Sequence, residues 1–477
     1  MRWITVQRSV FAAAALLGQT ACAVGPDYQR PMTPLRPFHN VGITAPSSGV
    51  HASDIAWWTS FGDSELNRIE TRVLTMNLDL RAAFARVLQG RAVARSAAAQ
   101  MLPTIDFNPQ VSATRLSEEG LIGHIVREVP HFNRDYREYN VGGVASWELD
   151  VAGGLRRAHE AARDEFQAAE AEQAGVRLSI AADAADTYFR IRGIQLSLRD
   201  AREAVAAREK LLDLVQQRSD RGVADDRERS QAAAELETEK QRVLDIERQK
   251  ETQLNRLDVL MGAQPGTYAG ELQVTTELPT VPAPATAAQS LDVLRRRPDV
   301  VASERRLAAR NADIGVALAA YYPKISLQGA LGFESMSPRQ LFVAPGFQPT
   351  ATGALRWRIF DFGKISSEVA HARGNYAEAL ADYRSTMLHA AEDVENAFFH
   401  LGQTHRTLAS ETRDVHALER VTILTQQSYA AGAMGLGEVL QSRLNLLKAQ
   451  ENLTSARAEE VRAAVECFRA MGGGWRI

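Results

Sequence analysis

Few residue sets in this chain could do covalent chemistry. Its ten histidines show no HExxH or paired ligand spacing, and no P-loop, GxSxG elbow or dinucleotide fingerprint occurs. Cys22 and Cys467 are the only cysteines, too few for a disulfide scaffold or a four-thiolate zinc site. Cys467 reads as a buried small apolar residue. Carboxylates at a repeated spacing offer a different chemistry. Glu228 stands six residues after Gly222 and Glu438 six after Gly432, while Gln231 and Gln441 stand nine after the same glycines. Gathered into a ring by several copies, such carboxylates would raise a local negative potential and favour cations. No residue set supports an enzyme, a cofactor or a metal site.

The N-terminus indicates a compartment. Arg2 and Arg8 form a basic region, Ser9 to Leu17 a short apolar core, and Gly18-Gln19-Thr20-Ala21 leads to Cys22. The apolar run is about half the ~20 residues needed to span a bilayer, so residues 1–21 read as an export signal. A small residue directly before the cysteine is also the lipoprotein pattern, in which Cys22 is lipidated and becomes the mature N-terminus. Gln19 departs from the aliphatic residue usual three positions before the cysteine, and a plain secretory signal explains the same residues otherwise. An acylated Cys22 would add membrane affinity. Ala23 is not the aspartate that often retains lipoproteins at the inner membrane.

The 477 residues suggest about three domains. Hydrophobic content of 45% and charged content of 24% exclude wholesale disorder. A net charge of −3 and a pI near 6.4 argue against a protein built to neutralise nucleic-acid phosphate. Mean hydropathy is −0.24 and the one long apolar run is N-terminal, which excludes a polytopic helical membrane protein.

The elements that must position those carboxylates come in two copies. Leu80-Arg81-Ala82-Ala83 opens a helical run to Leu102-Pro103-Thr104-Ile105, and Val300-Val301-Ala302-Ser303 opens one to Tyr322-Pro323-Lys324-Ile325. Trp147-Glu148-Leu149-Asp150 is answered by Trp357-Arg358-Ile359-Phe360-Asp361, and Arg221-Gly222-Val223-Ala224 by Ala431-Gly432-Ala433-Met434. Each half therefore reads helix, strand, strand, very long helix, turn, long helix. The proline-rich stretch from Pro279 to Thr286 marks the linker. The expected division is a signal at 1–21, an N-terminal repeat at 22–278 and a C-terminal repeat at 279–477.

The strands alternate with period two. Ile105, Phe107, Val111 and Ala113 are set against Asp106, Asn108, Gln110, Ser112 and Thr114. Tyr139, Val141, Ala145, Trp147 and Leu149 are set against Asn140, Ser146, Glu148 and Asp150. In the second half, Ile325, Leu327, Leu331 and Phe333 oppose Ser326, Gln328 and Glu334, while Ala351, Leu355, Trp357 and Ile359 oppose Thr352, Arg356 and Arg358. This is the pattern of outer-membrane barrel strands, and a soluble half-buried sheet alternates likewise. Inside hydrocarbon every backbone group must be paired, and four strands cannot close around a lumen. Copies from other chains must complete the cylinder: a dimer gives eight strands, a trimer twelve. The connections Leu116 to Glu138 and Ser335 to Gln348 would be outer loops.

The helices are too long for a globule. No proline interrupts Leu155 to Arg218, or Ile365 to Ala430, and shorter partners run from Asp226 to Met261 and Glu438 to Met471. Leu178, Ala182, Ala185, Phe189, Arg192 and Leu196 keep a 4-3-4-3-4 spacing, which with the many alanines argues for coiled-coil pairing. Trp57 and Trp58 read as packing residues. A periplasmic coiled-coil scaffold without a pore explains the helices but not the strands.

At this point the chain resembles a known family. Cys22 to Pro31 (CAVGPDYQRP) is similar to the mature start of outer-membrane efflux lipoproteins of the TolC/OprM type, in particular the NodT branch. Arg296-Arg297-Pro298-Asp299, the stretch Asn311 to Ala317 with Tyr322-Pro323, and Gly472-Gly473-Gly474-Trp475 resemble three further motifs of that family in the right order. The resemblance implies a mostly α fold with a small β part. The implied assembly is a homotrimer whose twelve-stranded β-barrel, four strands per chain, continues into a long α-helical barrel crossing the periplasm. It implies an exit duct for small toxic compounds, lipidated at Cys22, partnered by a periplasmic adaptor and an inner-membrane transporter. The same architecture can serve type I protein secretion. The resemblance also places an iris-like gate at Glu438, Gln441, Glu228 and Gln231. Gln441 stands where the family often has an aspartate. It places adaptor docking at Arg221, Gly222 and Val223 with Ala431, Gly432 and Ala433.

Overall fold

The computed structural model describes residues 23–32, 36–40, 56–126, 129, 133–273, 277–282 and 292–473. The export signal, Cys22 and Gly474-Trp475 lie outside them.

One antiparallel sheet forms from both halves of the chain. β1 (Thr104–Phe107) and β2 (Gln110–Arg115) run along one side of β3 (Asp135–Leu149). The other side of β3 pairs with β4 (Lys324–Ser335), which pairs in turn with β5 (Phe347–Arg356). The first expected strand is broken between β1 and β2. Phe107 opposes Gly143 and Gln110 opposes Asn140, so the register runs on unshifted. The Asn108 N–H still donates to the Gly142 carbonyl at 3.1 Å, but Pro109 has no N–H to give the ladder. The rungs Thr114–Tyr136 and Arg115–Asp135 start β3 earlier than expected and shorten the first outer loop. Within that loop lies a short helix, α3 (Leu121–Val126). The fourth strand lies earlier in the chain than expected: it starts at Phe347, inside the expected outer loop, and excludes Trp357 and Ile359. The Lys324–Arg356 rung uses the first residue of β4 after Pro323, leaving no ladder beyond it, and the Trp357 indole donates to the Tyr321 carbonyl instead, at 2.9 Å.

These rungs sort the side chains by parity. Ile105, Phe107, Val111, Val141, Trp147, Leu149, Ile325, Leu327, Leu331, Phe333, Phe347 and Leu355 share one face. Asp106, Gln110, Ser112, Asn140, Glu148, Ser326, Gln328, Thr350 and Thr352 share the other. The apolar face is uncovered: Ile105 is 78% exposed, and Leu331 and Leu355 are each 64% exposed. Among the described residues the β1/β2 edge and the β5 edge each have one free side.

The helices repeat in length. α1 (Ser64–Met76) and α2 (Leu78–Ala99) precede the sheet. α4 (Gly154–Asp220) and α5 (Asp226–Leu260) follow β3. In the second half the order is α6 (Asp292–Arg296), α7 (Pro298–Ala319), the strands, then α8 (Lys364–Ala430) and α9 (Leu436–Ala470). α4 and α8 both have 67 residues and α5 and α9 both have 35. At 1.5 Å per residue each longer helix is a rod of about 100 Å. Among the described residues no helix is long and apolar enough to cross a membrane.

Two compact units result, each drawing on both halves of the chain. Of the described residues, the first joins 23–31, Leu88–Gln167 and Glu304–Ala381, and holds the sheet. The second joins the described residues of 32–87, Ala168–Ser303 and 382–473. Its core is aromatic: Trp57 stacks on Phe468 at 5.2 Å and Phe61 meets Phe189 at 5.1 Å. Trp57 and Trp58 are buried here, as their packing role requires, and so is Cys467, whose thiol burial and the Glu466 charge push up to about 12.

One buried charge breaks the pattern. On α1, Leu66, Ile69 and Val73 share their buried face with Glu70, which is 0% exposed, and neither carboxylate oxygen has a partner among the described residues. Burial holds its carboxyl well above the ordinary carboxylate range. The folded state then binds the proton more tightly than the unfolded state. Its stabilising contribution is complete at acid pH and is lost as pH rises from the ordinary carboxylate range through the folded value. Glu70→Gln is expected to raise the melting temperature near pH 7.5, by an effect of about 1–3 kcal/mol, and to leave it unchanged near pH 4. Parallel melting curves for both proteins across that range would refute this.

Candidate functional site

The two helix-hairpin turns are built alike. At the end of α4, Gly222 N–H donates to Ser219 at 2.8 Å and Val223 N–H to Arg218 at 2.9 Å. At the end of α8, Gly432 N–H donates to Tyr429 at 2.9 Å and Ala433 N–H to Ser428 at 2.9 Å. Both glycines take the left-handed conformation, with φ of 72° and 74°, which closes the helix and which a side chain resists. Arg221, Val223, Ala431 and Ala433 are exposed around them. Asp225 caps α5 by accepting from Glu228 N–H at 2.8 Å, whereas Gly435 begins α9 without a side-chain cap.

That difference separates the two carboxylates. Glu438 is exposed, and its side chain folds back over the start of α9: a Cβ placed on Gly435 would lie 2.7 Å from its Oε2. A carboxylate there interacts favourably with the exposed N–H groups of the helix start. Glu438 and Gln441 line one groove of about 500 Å³ with Leu214 and Arg218 of α4. Glu228 and Gln231 do not line it, and Gln231 instead donates to Glu235 at 3.2 Å. Gln441 donates to Asn445 at 3.1 Å. Arg218 is the residue that sequence reasoning missed. Its only signal is a basic side chain in the last turn of α4, where the helix dipole favours one.

Packing in this unit supports the turns. Ala207 of α4 packs with Leu444 and Leu447 of α9, and Val415 of α8 with Leu446, Ala449 and Leu453. Arg443 reaches Glu203 at 3.3 Å, and Arg462 reaches Asp186 at 2.6 Å. The Arg-Arg-Pro-Asp motif closes the other end of α9. Arg297 is buried, pairs with Asp299 and Asp393 at 2.8 Å each, and donates to the carbonyls of Ala470 at 2.9 Å and Ala390 at 3.3 Å. Burial pulls its basicity down, but the hydrogen bonds and charges of the two aspartates outweigh this and raise it.

In the first unit a strap follows Cys22. Val24 N–H donates to Ala152 at 3.0 Å, and the buried Arg157 guanidinium of α4 holds the carbonyls of Val24 and Gly25 and the Asp27 carboxylate. Asn311 of α7 donates to the Pro26 carbonyl at 2.8 Å, and Tyr28 and Arg30 both reach Glu304. A Cβ on Gly25 would lie 2.6 Å from the Gly315 Cα, so backbone packs on backbone there. Among the described residues no cluster of His, Cys, Asp and Glu could hold a metal.

A sequence model of the outer membrane efflux protein family matches residues 71–263 and 291–473. The pyoverdine export outer membrane protein OpmQ of Pseudomonas aeruginosa is 30% identical over 98% of this chain and 97% of its own. The toluene efflux pump outer membrane protein TtgI of Pseudomonas putida is 26% identical over 97% of each. Among solved structures, the outer-membrane channel OprN superposes with a TM-score of 0.84 at 29% identity, covering 95% of this chain and all of that one.

Proposed function

The chain belongs to the outer membrane efflux protein family, and from that premise we propose that three copies close a twelve-stranded β-barrel continued by an α-helical barrel. It is an outer-membrane channel component of an efflux system, extends into the periplasm and has the TolC-like fold. The relatives are channels and not enzymes. The observation that carries closure by several copies is the open sheet, and the family sets their number at three. Its apolar face is uncovered and each edge has a free side, a state that hydrocarbon does not tolerate until neighbours pair with it.

In this reading the duct works passively between a periplasmic adaptor and an inner-membrane transporter, which supplies the energy. Cys22 carries the acyl anchor, and the strap from Val24 to Arg30 holds the segment behind it. Arg221, Gly222, Val223, Ala431, Gly432 and Ala433 present the two turns to the adaptor. OpmQ is named for pyoverdine and TtgI for toluene, two unlike cargoes. The polar sheet face, lined by Ser, Thr, Asn and Gln with Asp106 and Glu148 among them, suits a duct that leaves cargo choice to the pump. No finding favours the secretion alternative.

The gate is assigned to Glu438, with Gln441 beside it in the same groove, and Glu228 and Gln231 at the equivalent hairpin. Three Glu438 carboxylates around the axis would attract cations and bind them across the closed iris. Glu438→Ala is expected to make the closed duct leakier and less cation-selective in planar bilayers. Unchanged conductance and selectivity would remove Glu438 from the gate.

A further inference from the structure

The apolar face of the sheet carries charge in one place only. Every residue of that face from Ile105 to Val111, from Tyr139 to Leu149 and along β5 is uncharged, and so is the face of β4. The exceptions are Arg115, Asp135 and Arg137, all at the loop end of β2 and β3. Arg137 stands opposite Ala113, beyond the last rung of β4, which joins Tyr139 to Ser335. It is exposed and has no ion-pair or hydrogen-bond partner among the described residues. Arg115 meets Asp135 at 3.7 Å with both side chains largely in solvent, so the trio keeps a net positive charge.

Just below this trio the same face holds aromatic rings, with Phe333 5.6 Å from both Phe342 and Phe347. Beside it lies a groove of about 1010 Å³, whose walls include Arg115, Arg137, Tyr139, Leu116, Ile122 and Met336. The groove also contains Asp135 and Glu138. Glu138 has the parity of the polar face, opposite Ser112.

In the proposed duct the helix-joined ends of the strands lie toward the periplasm, which puts the loop ends at the outward leaflet. We infer that Arg137, with Arg115, forms a docking site for the phosphate of an anionic lipid in that leaflet, whose apolar part lies along Ile122, Leu116 and Met336. A guanidinium donates two parallel hydrogen bonds to phosphate oxygens, and a site at the edge of hydrocarbon strengthens them. The inference rests on the proposed barrel, because only there does this face meet lipid.

The test uses the purified full-length channel in detergent, with lipid retained per trimer counted by native mass spectrometry. The probes are a bisphosphorylated acyl-disaccharide lipid, the same lipid without phosphate, and inorganic phosphate as competitor. Arg137→Gln is expected to weaken retention of the phosphorylated lipid about tenfold, and Arg137→Lys to restore part of it. The phosphate-free lipid should bind the native protein and Arg137→Gln equally weakly, and millimolar inorganic phosphate should displace little. Equal retention by the native protein and Arg137→Gln, both trimeric, would overturn the site and leave the barrel standing. Full displacement by inorganic phosphate would overturn the lipid. Loss of the trimer in the native protein would overturn both barrel and site.

Discussion

Arg297→Ala is expected to lower the melting temperature of the helical signal markedly, with a loss of about 2–4 kcal/mol. The guanidinium satisfies the Ala470 carbonyl at the end of α9, the Ala390 carbonyl of α8, and the carboxylates of Asp299 and Asp393. Asp299 and Asp393 are roughly half exposed and can return to water, so the cost lies mainly in the two buried carbonyls. Arg297→Lys should be intermediate, because one ammonium cannot reach four acceptors arranged for a planar fork. Circular dichroism melts of the three proteins check this. A lysine variant as stable as the native protein would show that charge alone is sufficient.

Leu331→Arg is expected to abolish assembly in the membrane, while Ala330→Arg, its neighbour, is tolerated. The two positions are adjacent but lie on opposite faces: from β4, Leu331 pairs with Gly143 and Pro349 on the apolar side, and Ala330 with Val144 and Thr350 on the polar side. An arginine near mid-bilayer on a lipid-facing strand costs about 2–4 kcal/mol, and a homotrimer incurs it three times. The amount of heat-dissociable trimer in isolated outer membranes separates the variants. Equal loss in both would mean that the two faces are not lipid and lumen.

Much of this architecture was legible in the residues. The proline-free runs predicted α4, α5, α8 and α9 to within a few residues, because each helix is a local structure whose signals lie along it. The period-two alternation predicted which face of the sheet is apolar, since parity holds whatever the partner strand. Strand ends were less legible. β5 stops at Arg356 because β4 begins at Lys324, and no local feature of Trp357 to Ile359 reveals that. The break at Pro109 was present in the sequence, but the alternation around it outweighed the missing N–H.

Long-range polar contacts were hidden for the same reason. Glu304 reads as one more charge on an arginine-rich helix, yet it receives Arg30 and Tyr28 from more than 270 residues away. Arg218 became part of the candidate site only when the end of α4 was seen beside the start of α9. Glu70 lies among apolar residues at helical spacing, and only the packed core shows that its carboxyl has no partner among the described residues.

The decisive quantity is the number of chains in the channel. Native mass spectrometry of the detergent-extracted protein should give a single assembly of three copies, since the open sheet leaves both edges to neighbours and the family fold closes twelve strands from four ladder positions per chain. A conducting species that proves to be one chain, or two, would contradict the account.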